Sequence, residues 1–171
     1  MRRSVLRAPD ACNDAGMPDT IPAGRLQLSD VAKQQYAAMY RLSSSVDLDH
    51  TLRHLVDIRA SQLNGCAFCI DMHWKDARAD GESEERLSMI PAWDESPLFN
   101  DRERAALALT EAMTLISDNH VPDELWEDIS EEFDEAELAQ LVFAITVINA
   151  WNRLSITTRL EQGHYQPGMF G

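Results

Sequence analysis

The sequence predicts an all-α protein. Apolar residues recur near the 3.6-residue period from Ser29 onward, and helix-start and helix-stop residues punctuate that pattern at helix-length intervals. The one segment whose β-branched residues would suit a strand, FAITVIN, lies in a stretch of about 26 residues without a breaker, which favours a buried helix.

In chain order, residues 1–24 are rich in Pro, Gly, Asp and Arg and lack a period, so a mobile N-terminal arm is expected, with Met17 an alternative start. Ser29 is placed to cap a helix reaching about Leu42. Asp47 is placed to cap a second, carrying Leu48, Leu52, Leu55, Val56 and Leu63 and ending at Asn64-Gly65, a pair suited to a left-handed stop. A third runs from about Cys66 to Ala79, where Gly81 stops it, and a short one from Ser83 to Met89. After a loop through Pro91 and Pro97, Asn100 and Glu103 have capping-box spacing ahead of a strongly apolar segment reaching Ile116. Asp134 and Glu137 repeat that signal before the long segment that ends at Gly163. The helical domain is thus expected over residues 25–163, with 164–171 as a C-terminal tail.

A chain of 171 residues and 19.3 kDa suits one compact domain. Its formal net charge is −14 and its only lysines are Lys33 and Lys75, so a polyphosphate backbone would be repelled and nucleic acid is not an expected partner. No apolar run approaches the length needed to cross a bilayer, and MRRSVLRAPD opens with two adjacent arginines without a hydrophobic stretch behind them. A cytoplasmic location with no membrane partner is expected, and that compartment keeps thiols reduced. Residues 118–137 hold ten carboxylates and no Lys or Arg, which reads as a solvated helix face and loop; the glycine-containing spacing of a calcium loop is missing.

The chemistry concentrates in SQLNGCAFCIDMHWKDAR, residues 61–78. On a helix, Cys66, Cys69 and His73 share one stripe, each a turn from the next. A thiol in the first turn is stabilised as thiolate by the helix dipole, which nominates Cys66 as the attacking sulfur. A histidine one turn on can take the thiol proton, which nominates Cys69. The spacing alone does not choose. It also permits a disulfide, so that a sulfenic acid formed by peroxide on one sulfur could be captured by the other. Two rival readings are a pair of inert buried thiols and a zinc site with Cys66, Cys69, His73 and either His50 or His54. Haem attachment is excluded because Ile70, not His, comes directly after the second cysteine. Cys12 stands apart.

At these residues the chain resembles the carboxymuconolactone decarboxylase family, in its alkylhydroperoxidase AhpD-like branch. The resemblance is carried by HLVDIRASQLNGCAFCIDMHWKDARADGESEERL, AWDESPLFNDRERAALALTEAMTLI and INAWNRLSITTR, and spans roughly residues 25–160. It implies an AhpD-like helical bundle with the CxxC at the N-terminus of a core helix, and subunits associating as trimers or hexamers. It implies Cys69 as the peroxide-attacking sulfur, Cys66 as the resolving one and His73 as a relay. The implied substrate is an alkyl hydroperoxide, the electron donor a thiol or dihydrolipoyl-type protein, and no cofactor is required. Two positions depart from the pattern: His54 stands where the peroxidases carry a glutamate, and Phe68 where some carry a histidine. An imidazole at residue 54 could still pass protons near pH 7, or could be a hydrogen-bonded core residue.

The leading expectation is therefore a thiol peroxidase or disulfide reductase using Cys69, Cys66, His73 and His54. A lactone decarboxylase and a non-enzymatic redox-sensing or zinc-holding oligomer are the alternatives. His50 and His120 are expected to be exposed. Trp151, Asn149, Asn152 and Arg153 are expected to pack and cap, and Tyr36, Met39 and Tyr40 to form a packing stripe. The apolar positions on the segments from Ala105 and Leu138 suggest extra surface that self-association would cover.

Overall fold

A computed structural model describes residues 24–169. The expected arm, apart from Gly24, lies outside the described residues, as do Cys12, Met17 and the last two residues of the expected tail. All regular structure among the described residues is helical. In order it comprises α1 (Leu28–Val31), α2 (Lys33–Ser45), α3 (His50–Asn64), α4 (Ala67–Ala79), α5 (Glu84–Met89), a 3₁₀ turn (Ile90–Ala92), α6 (Asp101–Thr114), α7 (Ile116–Asn119), α8 (Asp123–Glu132) and α9 (Glu135–Thr158).

Both anticipated capping boxes form. Asn100 accepts from the Glu103 backbone while Glu103 reaches back, and Asp134 and Glu137 do the same at α9. Several boundaries differ from the sequence expectation. The segment after Ser29 breaks at Ala32 (φ −131°, ψ 48°), and its first helix starts after Gln27 without a side-chain cap. At α3 the cap is Asp49 rather than Asp47, its carboxylate accepting from Leu52 N–H at 3.1 Å, while Asp47 N–H donates to Gln140 on α9. Finally, α9 stops at Thr158, because Arg159 turns left-handed (φ 57°) and Leu160 N–H closes back on Ser155 O.

Helix α3 is the organiser, since two opposite faces of it are buried. Leu52, Val56 and Ala60 pack with Ala106 and Leu109 of α6, Ile129 of α8 and Leu141, Ile145 and Ile148 of α9. Leu55 and Ile58 pack on the other side with Ala77 of α4, Leu87, Ile90, Phe99 and Leu107. Each fully buried Leu or Ile contributes roughly 1.5–3 kcal/mol, so a helix sealed on two sides is a rigid base for the turn at its C-terminal end. FAITVIN is helical, with Ile145, Val147 and Ile148 buried. The acidic stretch forms α8, one apolar edge of which drives Ile129 into the core. Ion pairs lock the periphery: Arg86 to Glu103 at 2.7 Å and Arg102 to Glu137 at 2.6 Å, their guanidinium groups lying over Phe99 and Phe133. Among the described residues no helix is long and apolar enough to cross a membrane.

Candidate active site

The dithiol sits on a turn built by SQLNGC. α3 terminates at Gly65 (φ 70°), and Cys66 N–H returns to Ser61 O at 2.9 Å. The Asn64 amide nitrogen lies 2.9 Å from Ala60 O, Asn149 Oδ1 and Asn152 Oδ1. Asn152 in turn donates to Ser61 Oγ at 3.0 Å, and Asn149 to Thr114 Oγ1 at 2.9 Å. Asn149 and Asn152 thus pin the α3–α4 turn to α9 rather than lining the site. Open space surrounds the Cβ position at Gly65, so only its backbone conformation resists substitution. Gly65→Ala is expected to cost about 1 kcal/mol, read as a lower urea midpoint.

That turn holds Cys66 as the extended N-cap of α4 (φ −84°, ψ 92°), not within the first turn as the sequence suggested. Its Sγ accepts from Cys69 N–H at 3.4 Å, and the two cysteines are joined as a disulfide with Cα atoms 5.4 Å apart. Cys69 is the third helical residue, so the dipole that seemed to favour Cys66 acts on Cys69 as well. Exposure is low at both, 1% for Cys66 and 2% for Cys69. A cleft of about 1650 Å³ nevertheless borders Cys69 together with Phe68, Met72 and His73, whereas Cys66 is not among its lining residues.

His73, one turn beyond Cys69, keeps its side chain only 14% exposed. Its Nδ1 lies 3.6 Å from Oδ2 of Asp57 on α3. Burial pulls the His73 pKa below its ordinary 6.5, aided by Arg53 and His54 and opposed by Asp57 and Asp76. The imidazole is therefore neutral at pH 7 and able to accept a proton. His54 borders the same cleft, with Nε2 at 2.8 Å from Asp80 Oδ2. That contact holds the Asp80 carboxyl below its ordinary range. His50, 89% exposed, approaches the same oxygen at 3.7 Å. His120 is exposed too.

Residues 160–169 fold back over α4. Tyr165 is buried, and its hydroxyl donates to Asp76 Oδ1 at 2.7 Å; burial and that carboxylate push its pKa up to about 12. Lys75 donates to Tyr165 O and pairs with Asp71, which also accepts from Gly163 N–H. Trp151 borders the cleft and meets Tyr36 edge-on at 5.2 Å.

The four residues singled out from the sequence are thus gathered on two adjacent helices. Cys69, His73 and His54 border one cleft, and Cys66 is bonded behind. Among the described residues no group of three or more His, Cys, Asp or Glu side chains is placed to hold a metal, and the two upstream histidines turn to Asp80. Sequence reasoning missed Asp57 and Asp80. For Asp57 the available signal was its i+4 spacing from Arg53 within an otherwise apolar stripe.

An all-helical bundle with a dithiol at the start of a core helix places the chain in the carboxymuconolactone decarboxylase family, to which it belongs, within the AhpD-like branch; the family model matches residues 31–112. The uncharacterized protein YdfG of Bacillus subtilis (strain 168) is 47% identical over 118 residues, covering 69% of this chain and 80% of YdfG. ATU0492 of Agrobacterium tumefaciens, a protein of unknown function linked to AhpD antioxidant defence, superposes with a TM-score of 0.80 at 34% identity, covering 84% of this chain and 100% of that one. An uncharacterized peroxidase-related protein of Silicibacter sp. TM1040 shares the fold, with a TM-score of 0.68 at 20% identity over 83% of this chain and 76% of its own.

Proposed function

We propose that the protein is an AhpD-like thiol peroxidase or disulfide reductase that reduces alkyl hydroperoxides by cycling Cys66 and Cys69 between dithiol and disulfide. The observation that carries this reading is the cleft that reaches Cys69 and a neutral His73 together, with Cys66 within bonding distance of Cys69 on the far side. A peroxidase-related role also agrees with the relatives of the chain.

In this scheme His73 takes the Cys69 proton, and the thiolate attacks one oxygen of the hydroperoxide. An S–O bond forms, the O–O bond breaks, and the leaving alkoxide takes the proton from His73 to depart as alcohol. Cys69 is then a sulfenic acid. Cys66 attacks that sulfur, the S–S bond forms, and hydroxide leaves with the Cys66 proton as water. Each turnover moves two electrons from the dithiol to the peroxide. A thiol or dihydrolipoyl-type donor then returns them, in a reducing compartment such as the cytoplasm. His54, tied to Asp80, exchanges protons between the site and solvent.

Self-association belongs to the same reading. Helix α2 buries none of its own residues and exposes Tyr40 and Leu42, while α9 exposes Phe143 and Ile156. A second subunit, as in a trimer or hexamer, would cover such surface.

The decisive experiment mixes fully reduced protein with cumene hydroperoxide and tracks thiols by peptide mapping, so that Cys12 is counted separately. One disulfide between Cys66 and Cys69 and one cumyl alcohol per peroxide are expected. Peroxide that persists beside an intact dithiol rejects the peroxidase.

A further inference from the structure

Resting on the peroxidase reading, we infer that Asp57 is the positioning carboxylate of the site: it holds His73 in the tautomer and orientation that exchange a proton with Cys69.

Asp57 sits among Leu55, Val56 and Ile58 on α3 and is only 2% exposed. A buried carboxylate costs several kcal/mol unless its oxygens are satisfied. Here they are only half satisfied. Arg53 reaches Oδ2 through Nε alone, at 2.7 Å, and sends Nη2 to Ser43 Oγ at 3.3 Å instead of gripping both carboxylate oxygens. Oδ1 has no hydrogen-bond partner, and it is the only such buried side-chain oxygen or nitrogen among the described residues. A residue serving the fold alone would use the guanidinium fork on both oxygens, or be apolar like its neighbours. Asp57 instead borders the cleft and turns Oδ2, the oxygen that Arg53 also reaches, toward His73 Nδ1 at 3.6 Å.

A carboxylate on that side favours the proton on Nδ1 and leaves Nε2 as the basic nitrogen. The charged groups acting on His73 divide by sign. Asp57 and Asp76 favour its protonated form, whereas Arg53 and His54 oppose it along with burial. Asp57 therefore restores basicity that burial removes, and Arg53 moderates Asp57.

The test uses the reduced full chain, with the His73 ring titration monitored by NMR and Cys69 oxidation by cumene hydroperoxide measured against pH. Asp57→Asn is expected to move the His73 titration and the acid limb of the rate to lower pH, and to slow oxidation by about tenfold or more. Arg53→Gln is expected to move the titration in the opposite direction, which general loosening of α3 would not produce. Asp57→Glu is expected to recover part of the rate. Folded Asp57→Asn protein with unchanged titration and rate overturns the assignment, as do shifts of the same sign in Asp57→Asn and Arg53→Gln. If Asp57→Asn does not fold, an unchanged His73 titration in both Arg53→Gln and Asp57→Glu overturns it. Should the wild-type dithiol ignore peroxide, the function reading falls, while the NMR titration still decides whether Asp57 governs His73.

Discussion

Cys69→Ser is expected to remove cumene hydroperoxide reduction, by on the order of 10³-fold or more, because among the described residues no other thiol borders the cleft. Cys66→Ser is expected to behave differently. Its first attack survives, so one alcohol is released per chain, and Cys69 then stalls as a sulfenic acid that dimedone traps as a single adduct. The asymmetry comes from placement. Cys69 lies in the first turn of α4, one turn from His73 and against the cleft, whereas Cys66 is the N-cap and is tucked behind it. A burst of alcohol from Cys69→Ser, with none from Cys66→Ser, would reverse the assignment and make the N-cap sulfur the nucleophile.

Much of this arrangement was legible in the sequence because the decisive signals are local. Capping boxes at Asn100 and Asp134, the left-handed stop at Gly65 and the one-turn spacing of Cys69 and His73 each depend on residues only a few positions apart. The features that were not legible depend on other elements. Ser29 has a capping side chain, yet α1 starts before it, and Asp47 gives its backbone N–H to Gln140, leaving Asp49 as the cap. Asp57 was hidden for the opposite reason. A single acid in HLVDIRA looks like an exposed residue until tertiary packing buries α3 on two faces and brings His73 beside it. The resemblance puts the glutamate of the peroxidases at the position of His54, and a buried carboxylate, Asp57, stands three residues further on.

Asn152→Leu is expected to destabilise the protein by about 2–3 kcal/mol, although the two side chains are similar in shape and Asn152 is completely buried. The substitution removes an acceptor 2.9 Å from the Asn64 amide and a donor 3.0 Å from Ser61 Oγ, both belonging to the turn that presents the dithiol. Ser61 is fully buried, so water cannot replace the donor its Oγ loses, whereas the part-buried Asn64 amide keeps Ala60 O and Asn149 Oδ1. The loss should appear as a lower urea midpoint with an unchanged slope, because folded and unfolded compactness stay the same. It should also slow disulfide closure after peroxide attack, since the backbone of Cys66 is held by Ser61 O in the same turn. A variant as stable as wild type would show that α9 packing alone fixes the turn. Unchanged stability with slowed closure would instead place the amide network in the service of the sulfur geometry.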